Sequence, residues 1–194
     1  MTTYIALLRG INVAGHRMVS MLDLRALLAG CGFGNPRSLL QTGNLVFLGR
    51  GPSGAVERRL EREAASRLGL HTDFFVRDAA EWRQVVSRNP FPEMAARDPA
   101  HLVVMFLKEA PEGTAVEALR SAIRGPETLA VAGRDLYVTY PDGMGRSRLT
   151  GIAIEKALGT RGTARNWNTV LKVASELDAT AARPFSTRAR RPRG

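Results

Sequence analysis

Apolar positions recur along the chain in two rhythms, one of short unbroken runs and one with a three-to-four-residue period. Residues 4–8 form the first run and predict a strand, and a Gly-rich connection over residues 10–15 leads towards a helix starting near Met21. Leu24, Leu27, Leu28 and Cys31 then recur at i, i+3, i+4 and i+7, which gives that helix one buried face, with Ser20 as its cap and Gly32 as its left-handed stop. Residues 38–41 and 45–48 read as two short strands around Thr42, Gly43 and Asn44, a hairpin signal. A second helix over residues 55–68 lines up Val56, Leu60, Ala64 and Leu68 and ends at Gly69, and residues 72–77 supply a fourth strand. The order βαββαβ predicts a ferredoxin-like unit, α+β in class, with helices packed on one face of an antiparallel sheet.

Asp78 and Glu81 make a capping-box start for one more helix through Val86. Three prolines between Asn89 and Pro99 interrupt the pattern, because proline continues neither a helix interior nor a central strand. Beyond the break the order resumes: a strand at Leu102–Leu107, a helix after Thr114 with Glu117 completing a capping box, strands over residues 128–132 and 136–140, and a helix over residues 148–158. A last helix begins near Asn166, with Trp167, Val170, Leu171, Ala174 and Leu177 on one face. The expected organisation is therefore two ferredoxin-like repeats in tandem: a first lobe over residues 1–90, a Pro-rich linker over 91–99, a second lobe with its C-terminal helix over 100–182, and an Arg-rich mobile tail over 183–194.

Composition narrows the setting. Residues 4–8 are too short for a signal-peptide core, and no run approaches the roughly 20 apolar residues that span a bilayer, so a cytoplasmic protein without a membrane segment is expected. Cys31 is the one cysteine, which rules out an internal disulfide and fits a reducing compartment. The net charge of +10 invites a phosphate-bearing partner, nucleic acid or a phosphorylated small molecule. Two features dilute that reading. Lys108, Lys156 and Lys172 are the only lysines among 28 basic residues, an Arg excess that codon bias explains equally well, and five arginines without an acid lie in the tail, leaving the rest mildly basic.

Three stretches taken together, RGINVAGH at residues 9–16, LLQTGNLVF at 39–47 and TARNWNTVLKV at 163–173, resemble the uncharacterised bacterial family called domain of unknown function 1697. Ala14 and Thr42 depart mildly from its commoner Gly and Ser. The resemblance implies a fold of two ferredoxin-like repeats and transfers no catalytic residues.

Candidate chemistry follows from the polar positions. Gly10, Asn12 and Gly15 after the first strand, with Arg9, His16 and Arg17 beside them, form an anion-friendly loop, although strand-to-helix connections use such residues anyway and the spacing of a phosphate loop is missing. Gln41 and Asn44 flank the hairpin turn. In the second half Gly143, Gly145, Arg146, Ser147 and Arg148 stand at a predicted helix start, where Ser147 also suits a plain cap. Arg165 and Asn168 surround the start of the last helix, which Asn166 would cap.

His16, His71 and His101 lie in separate segments without a second ligand at metal spacing, so neither a metal nor a cofactor is expected. No nucleophile elbow or marked carboxylate pair appears, which leaves enzymatic activity undecided. For an RNA-recognition sheet only Phe47, with Tyr4 a weak second, is offered as a stacking aromatic. The expectation is non-enzymatic binding of an anionic, phosphate-bearing ligand, nucleic acid included. The alternative is an enzyme acting on a small phosphorylated or carboxylated metabolite in an inter-lobe cleft.

Overall fold

A computed structural model describes residues 1–10, 19–39 and 43–181. Within them the chain is a mixed α+β structure of two four-stranded antiparallel sheets and seven α-helices. The first half runs β1 (Thr2–Leu8), α1 (Met21–Gly30), β2 (Gly34–Leu39), β3 (Asn44–Gly49), α2 (Ser53–Leu68), β4 (Phe74–Asp78), α3 (Ala79–Ser87) and a short α4 (Pro92–Arg97). The second runs β5 (Leu102–Leu107), α5 (Gly113–Ala122), β6 (Thr128–Ala132), β7 (Asp135–Thr139), α6 (Gly151–Leu158), β8 (Gly162–Asn166) and α7 (Trp167–Ala181), with a 3-10 turn at Met144–Arg146. The sheets have orders β2-β3-β1-β4 and β6-β7-β5-β8. No helix among the described residues is long and apolar enough to cross a membrane.

Local signals place most of these elements. Ser20 accepts the Asp23 N–H at 3.0 Å, Asp78 and Glu81 close a capping box, and Asn166 accepts the Thr169 N–H at 3.0 Å. Gly69 and Gly159 end α2 and α6 in the left-handed conformation, with φ +59 and +66.

Other expectations need correction. Thr114 does not cap α5, because the helix has already begun at Gly113, and Glu117 turns to Arg120 at 2.5 Å instead. Thr150 caps the next helix in place of Ser147, accepting the Ala153 N–H at 3.2 Å. The break after Asn89 holds α4, with Pro92 in its first turn, where the missing N–H leaves no helical bond unmade. Strand β8 escaped the sequence pattern: Gly162–Asn166 carries almost no large apolar side chain, and pairing with β5 is what makes it a strand.

Each sheet is covered on both faces, where helices on one face were expected. Tyr4, Ala6 and Leu8 point towards α1 and α2, while Ile5 and Leu7 enter a central core shared with the second half. Strand β5 alternates likewise, Val103, Met105 and Leu107 facing α5 and α6, and Leu102, Val104 and Phe106 facing the centre. Helices α3 and α7 complete that centre with Trp82, Val85, Trp167, Val170 and Val173. Trp82 stacks on Phe106 at 4.9 Å between centroids and donates Nε1–H to the Val170 carbonyl at 3.2 Å.

Contacts across this seam come in reciprocal pairs. Arg77 stands opposite Ile5 and Arg165 opposite Val104, the same register position in the last strand of each half. Arg77 donates to Asp135 Oδ1 at 2.9 Å and to the Leu107 carbonyl at 3.3 Å, and Arg165 donates to Asn44 Oδ1 at 2.7 Å and to the Leu8 carbonyl at 3.2 Å. Asn44 and Asp135 match in register, as do Leu8 and Leu107. Arg9, just past β1, reaches Glu155 at 2.6 Å, while Lys108, just past β5, reaches Glu57 at 2.9 Å and also Glu61. Arg161 and Asp73, each preceding its half's last strand, pair with one another at 2.9 Å. Interfaces in which residue i meets j while j meets i are two-fold symmetric, and a position that meets its own counterpart lies on the axis.

Candidate anion-binding site

Two cavities divide the basic residues singled out by sequence. The larger, about 840 Å³, is a groove between α5 and α6 on the outer side of the second sheet. Much of its lining is aliphatic: Leu119, Ala122 and Ile123 from α5 and its end, Leu149, Ala153 and Ala157 from α6 and its approach. Arg124, Arg146 and Arg148, all exposed, line it as well, with Glu127 and Asp142, three guanidiniums to two carboxylates.

The loop that carries Arg146 and Arg148 is held in place. Buried Leu149 anchors the segment, and the Tyr140 hydroxyl donates to the Leu149 carbonyl at 2.9 Å. Burial pushes the Tyr140 phenol up to about 12, so it remains a donor at neutral pH. Ser147 accepts the Leu149 N–H at 2.9 Å and donates its hydroxyl to Glu127, which occupies that carboxylate. Arg124 spends one N–H on the Ser121 carbonyl at 3.0 Å. Arg146 and Arg148 are exposed and have no hydrogen bond or ion pair among the described residues.

The second cavity, about 580 Å³, lies where the halves meet and is lined by Arg9, Gly10, Glu61, His71, Asp73 and Arg161 among others. Its arginines are committed, Arg9 to Glu155 and Arg161 to Asp73. The two cavities share no lining residue among the described ones, which places Arg9 and Gly10 in one and Arg146 and Ser147 in the other. Arg165 and Asn44 serve the seam, where burial lowers the Arg165 guanidinium to about 10. Asn168 is exposed in the first turn of α7. Asn12, Gly15, His16, Arg17 and Gln41 lie outside the described residues.

Other candidates resolve locally. Cys31 is 4% exposed and burial pushes its thiol up, as befits an inert core residue. Tyr4 and Phe47 are enclosed on the helical side of their sheet, stacked at 5.8 Å, so neither offers a base a platform. His101 pairs with Asp98 at 2.5 Å. Among the described residues no cluster of His, Cys, Asp and Glu could hold a metal ion. Arg124 was missed by sequence reasoning. The Gly125-Pro126 dipeptide marks it as a loop residue, and only the packing of α5 against α6 brings it to the groove.

A solved structure, that of the conserved bacterial protein SP0830 from Streptococcus pneumoniae, is similar in fold, with a TM-score of 0.69 and 21% identity over 91% of this chain and 98% of that one. No curated protein matches. The family described as protein of unknown function (DUF1697) matches residues 1–137, a stretch that includes α5 and Arg124 and ends within β7 before Arg146. That match spans more than half of the chain, which therefore belongs to this family.

Proposed function

We propose that the protein binds an anionic, phosphate-bearing ligand without transforming it, in the groove between α5 and α6. The observation that carries this reading is the pair of guanidiniums, Arg146 and Arg148, held above an apolar groove with no partner among the described residues. Arginine forks suit phosphate oxygens, and a charge-assisted hydrogen bond contributes about 1.5–3 kcal/mol. Replacing either Arg146 or Arg148 by alanine is expected to weaken binding of inorganic phosphate or an alkyl phosphate about 10- to 100-fold in calorimetric titration. The melting curve should stay unchanged, since both side chains are exposed. Wild-type affinity in both variants would overturn the reading.

Nucleic acid is the polymeric case of the same chemistry, and for it the Arg-rich tail would supply most contacts. Deleting residues 183–194 is then expected to flatten the salt dependence of duplex DNA binding by up to about 4.5 in log–log slope, at about 0.9 per lost phosphate contact. An unchanged slope assigns the tail no role. The competing reading is an enzyme in an inter-lobe cleft, acting on a small phosphorylated or carboxylated metabolite at the cavity that holds His71, Glu61 and Asp73. The commitment of Arg9 and Arg161 to internal ion pairs weighs against an anion there.

We further propose that the two halves are ferredoxin-like repeats. The matching strand orders and the reciprocal arginine contacts support this, since a duplicated unit docked on its own copy produces such pairs. A reducing, cytoplasmic location fits the single buried thiol.

A further inference from the structure

Resting on the reading of the α5–α6 groove as an anion site, we infer that its ligand is an amphiphile, a phosphate or similar anion carrying an unbranched aliphatic body. The lining of the groove joins two chemistries. Its three arginines are exposed and lie in the loops that follow α5 and precede α6, whereas the residues on and next to the two helices are the aliphatic Leu119, Ala122, Ile123, Leu149, Ala153 and Ala157. None of these side chains carries a donor or an acceptor, and the Leu149 and Ala153 N–H groups are already taken by Ser147 and Thr150.

A sugar phosphate or a nucleotide in this groove would bring hydroxyls and ring nitrogens against hydrocarbon, where each unpaired polar group costs free energy. No aromatic ring on which a base could stack is among its described lining residues. An alkyl chain meets none of these penalties and removes the apolar walls from water. Ala153 and Ala157 lie one turn apart on α6 across from Ala122 on α5, and these small side chains leave the space between the helices open. At about 840 Å³ the groove falls within the range of small-molecule sites, roughly 300–1,000 Å³.

The full chain is titrated calorimetrically with inorganic phosphate, glucose phosphate, and butyl, hexyl and octyl phosphate below their micellar concentrations. Affinity is expected to rise about fourfold for each methylene that enters the groove, the equivalent of about 0.8 kcal/mol, so octyl phosphate exceeds butyl phosphate by up to about two orders of magnitude. Ala157→Phe is expected to abolish this dependence on chain length while phosphate itself binds as before. Ala157 is exposed, so the larger ring enters the groove and spares the core. If its melting curve nevertheless shows a damaged fold, Ala153→Met fills the same space from the preceding turn.

Equal affinity for inorganic phosphate, glucose phosphate and octyl phosphate would overturn the amphiphile and leave the anion site standing. A rising series untouched by a folded filling variant would place the chain elsewhere and overturn it too. Failure of every compound to bind would overturn both this inference and the anion reading beneath it.

Discussion

Arg77→Ala is expected to lower the free energy of unfolding by about 3–5 kcal/mol in urea denaturation, the size seen when one member of a buried ion pair is removed. The side chain is 2% exposed and satisfies acceptors from the opposite half, Asp135 Oδ1 at 2.9 Å and the carbonyls of Arg134 at 3.0 Å and Leu107 at 3.3 Å. Alanine would leave the Asp135 carboxylate without its hydrogen-bonded counter-charge and take one donor from each carbonyl, the Arg134 carbonyl keeping the Leu107 N–H at 2.8 Å. A loss below about 1 kcal/mol would show that the seam does not depend on this contact.

The reverse change is expected to be mild. Burial raises the Asp135 pKa despite the Arg77 guanidinium beside it, so folding favours the protonated acid. The stability this group contributes is therefore complete below its unfolded pKa of 3.8 and declines as pH rises through its higher folded value. Asp135→Asn should remove that decline and remain within about 1 kcal/mol of wild type at pH 7, because a buried charge is exchanged for a neutral acceptor. The protein already contains this solution: Arg165 is met at the matching position by the amide oxygen of Asn44, at 2.7 Å. A steep loss of stability in Asp135→Asn at neutral pH would show that the carboxylate's attraction for Arg77 outweighs its desolvation.

Trp82→Ala should cost about 3–5 kcal/mol. The ring is fully buried, stacks on Phe106 of the other half, and donates to the Val170 carbonyl at 3.2 Å. Removal creates a cavity in the central core and takes the indole donor from the Val170 carbonyl, which keeps its helical bond within α7. Because Trp82 belongs to the core shared by both sheets, the loss should appear as one cooperative transition shifted to lower urea, seen alike by circular dichroism and by the fluorescence of the remaining Trp167. Two separated transitions would show that each half folds on its own core, with the seam secondary.

The reach of sequence reasoning differs from element to element. Caps and stops are local chemistry, and Ser20, Asp78 with Glu81, Gly69 and Asn166 were legible because each acts on backbone groups within four residues. The central strands were legible as apolar runs, Tyr4 to Leu8 and Leu102–Leu107. The unbroken form of those runs also carried a signal left unused, since a strand with one solvated face alternates with polar residues, whereas one covered on both faces does not. Strand β8 was not legible, because Thr163, Ala164 and Arg165 have no periodicity of their own.

The candidate site divided in the same way. Composition and turn chemistry marked Arg9, Arg146 and Arg165 alike, as cations beside glycines or helix starts. Which of them remained available was decided by the docking of one half on the other: Arg9 found Glu155, 146 residues away, and Arg165 found Asn44, 121 residues away, while Arg146 stayed on the outer surface. The sequence by itself determined where α1, α3 and α7 begin and where α2 ends, which strands are central, and that the chain is rich in arginine, because those properties depend on neighbours along the chain. Only the tertiary structure decided that Arg9 and Arg165 join the two halves and that Arg146 and Arg148 stand over an aliphatic groove without a partner among the described residues, because a charge's partner is set by distance in space.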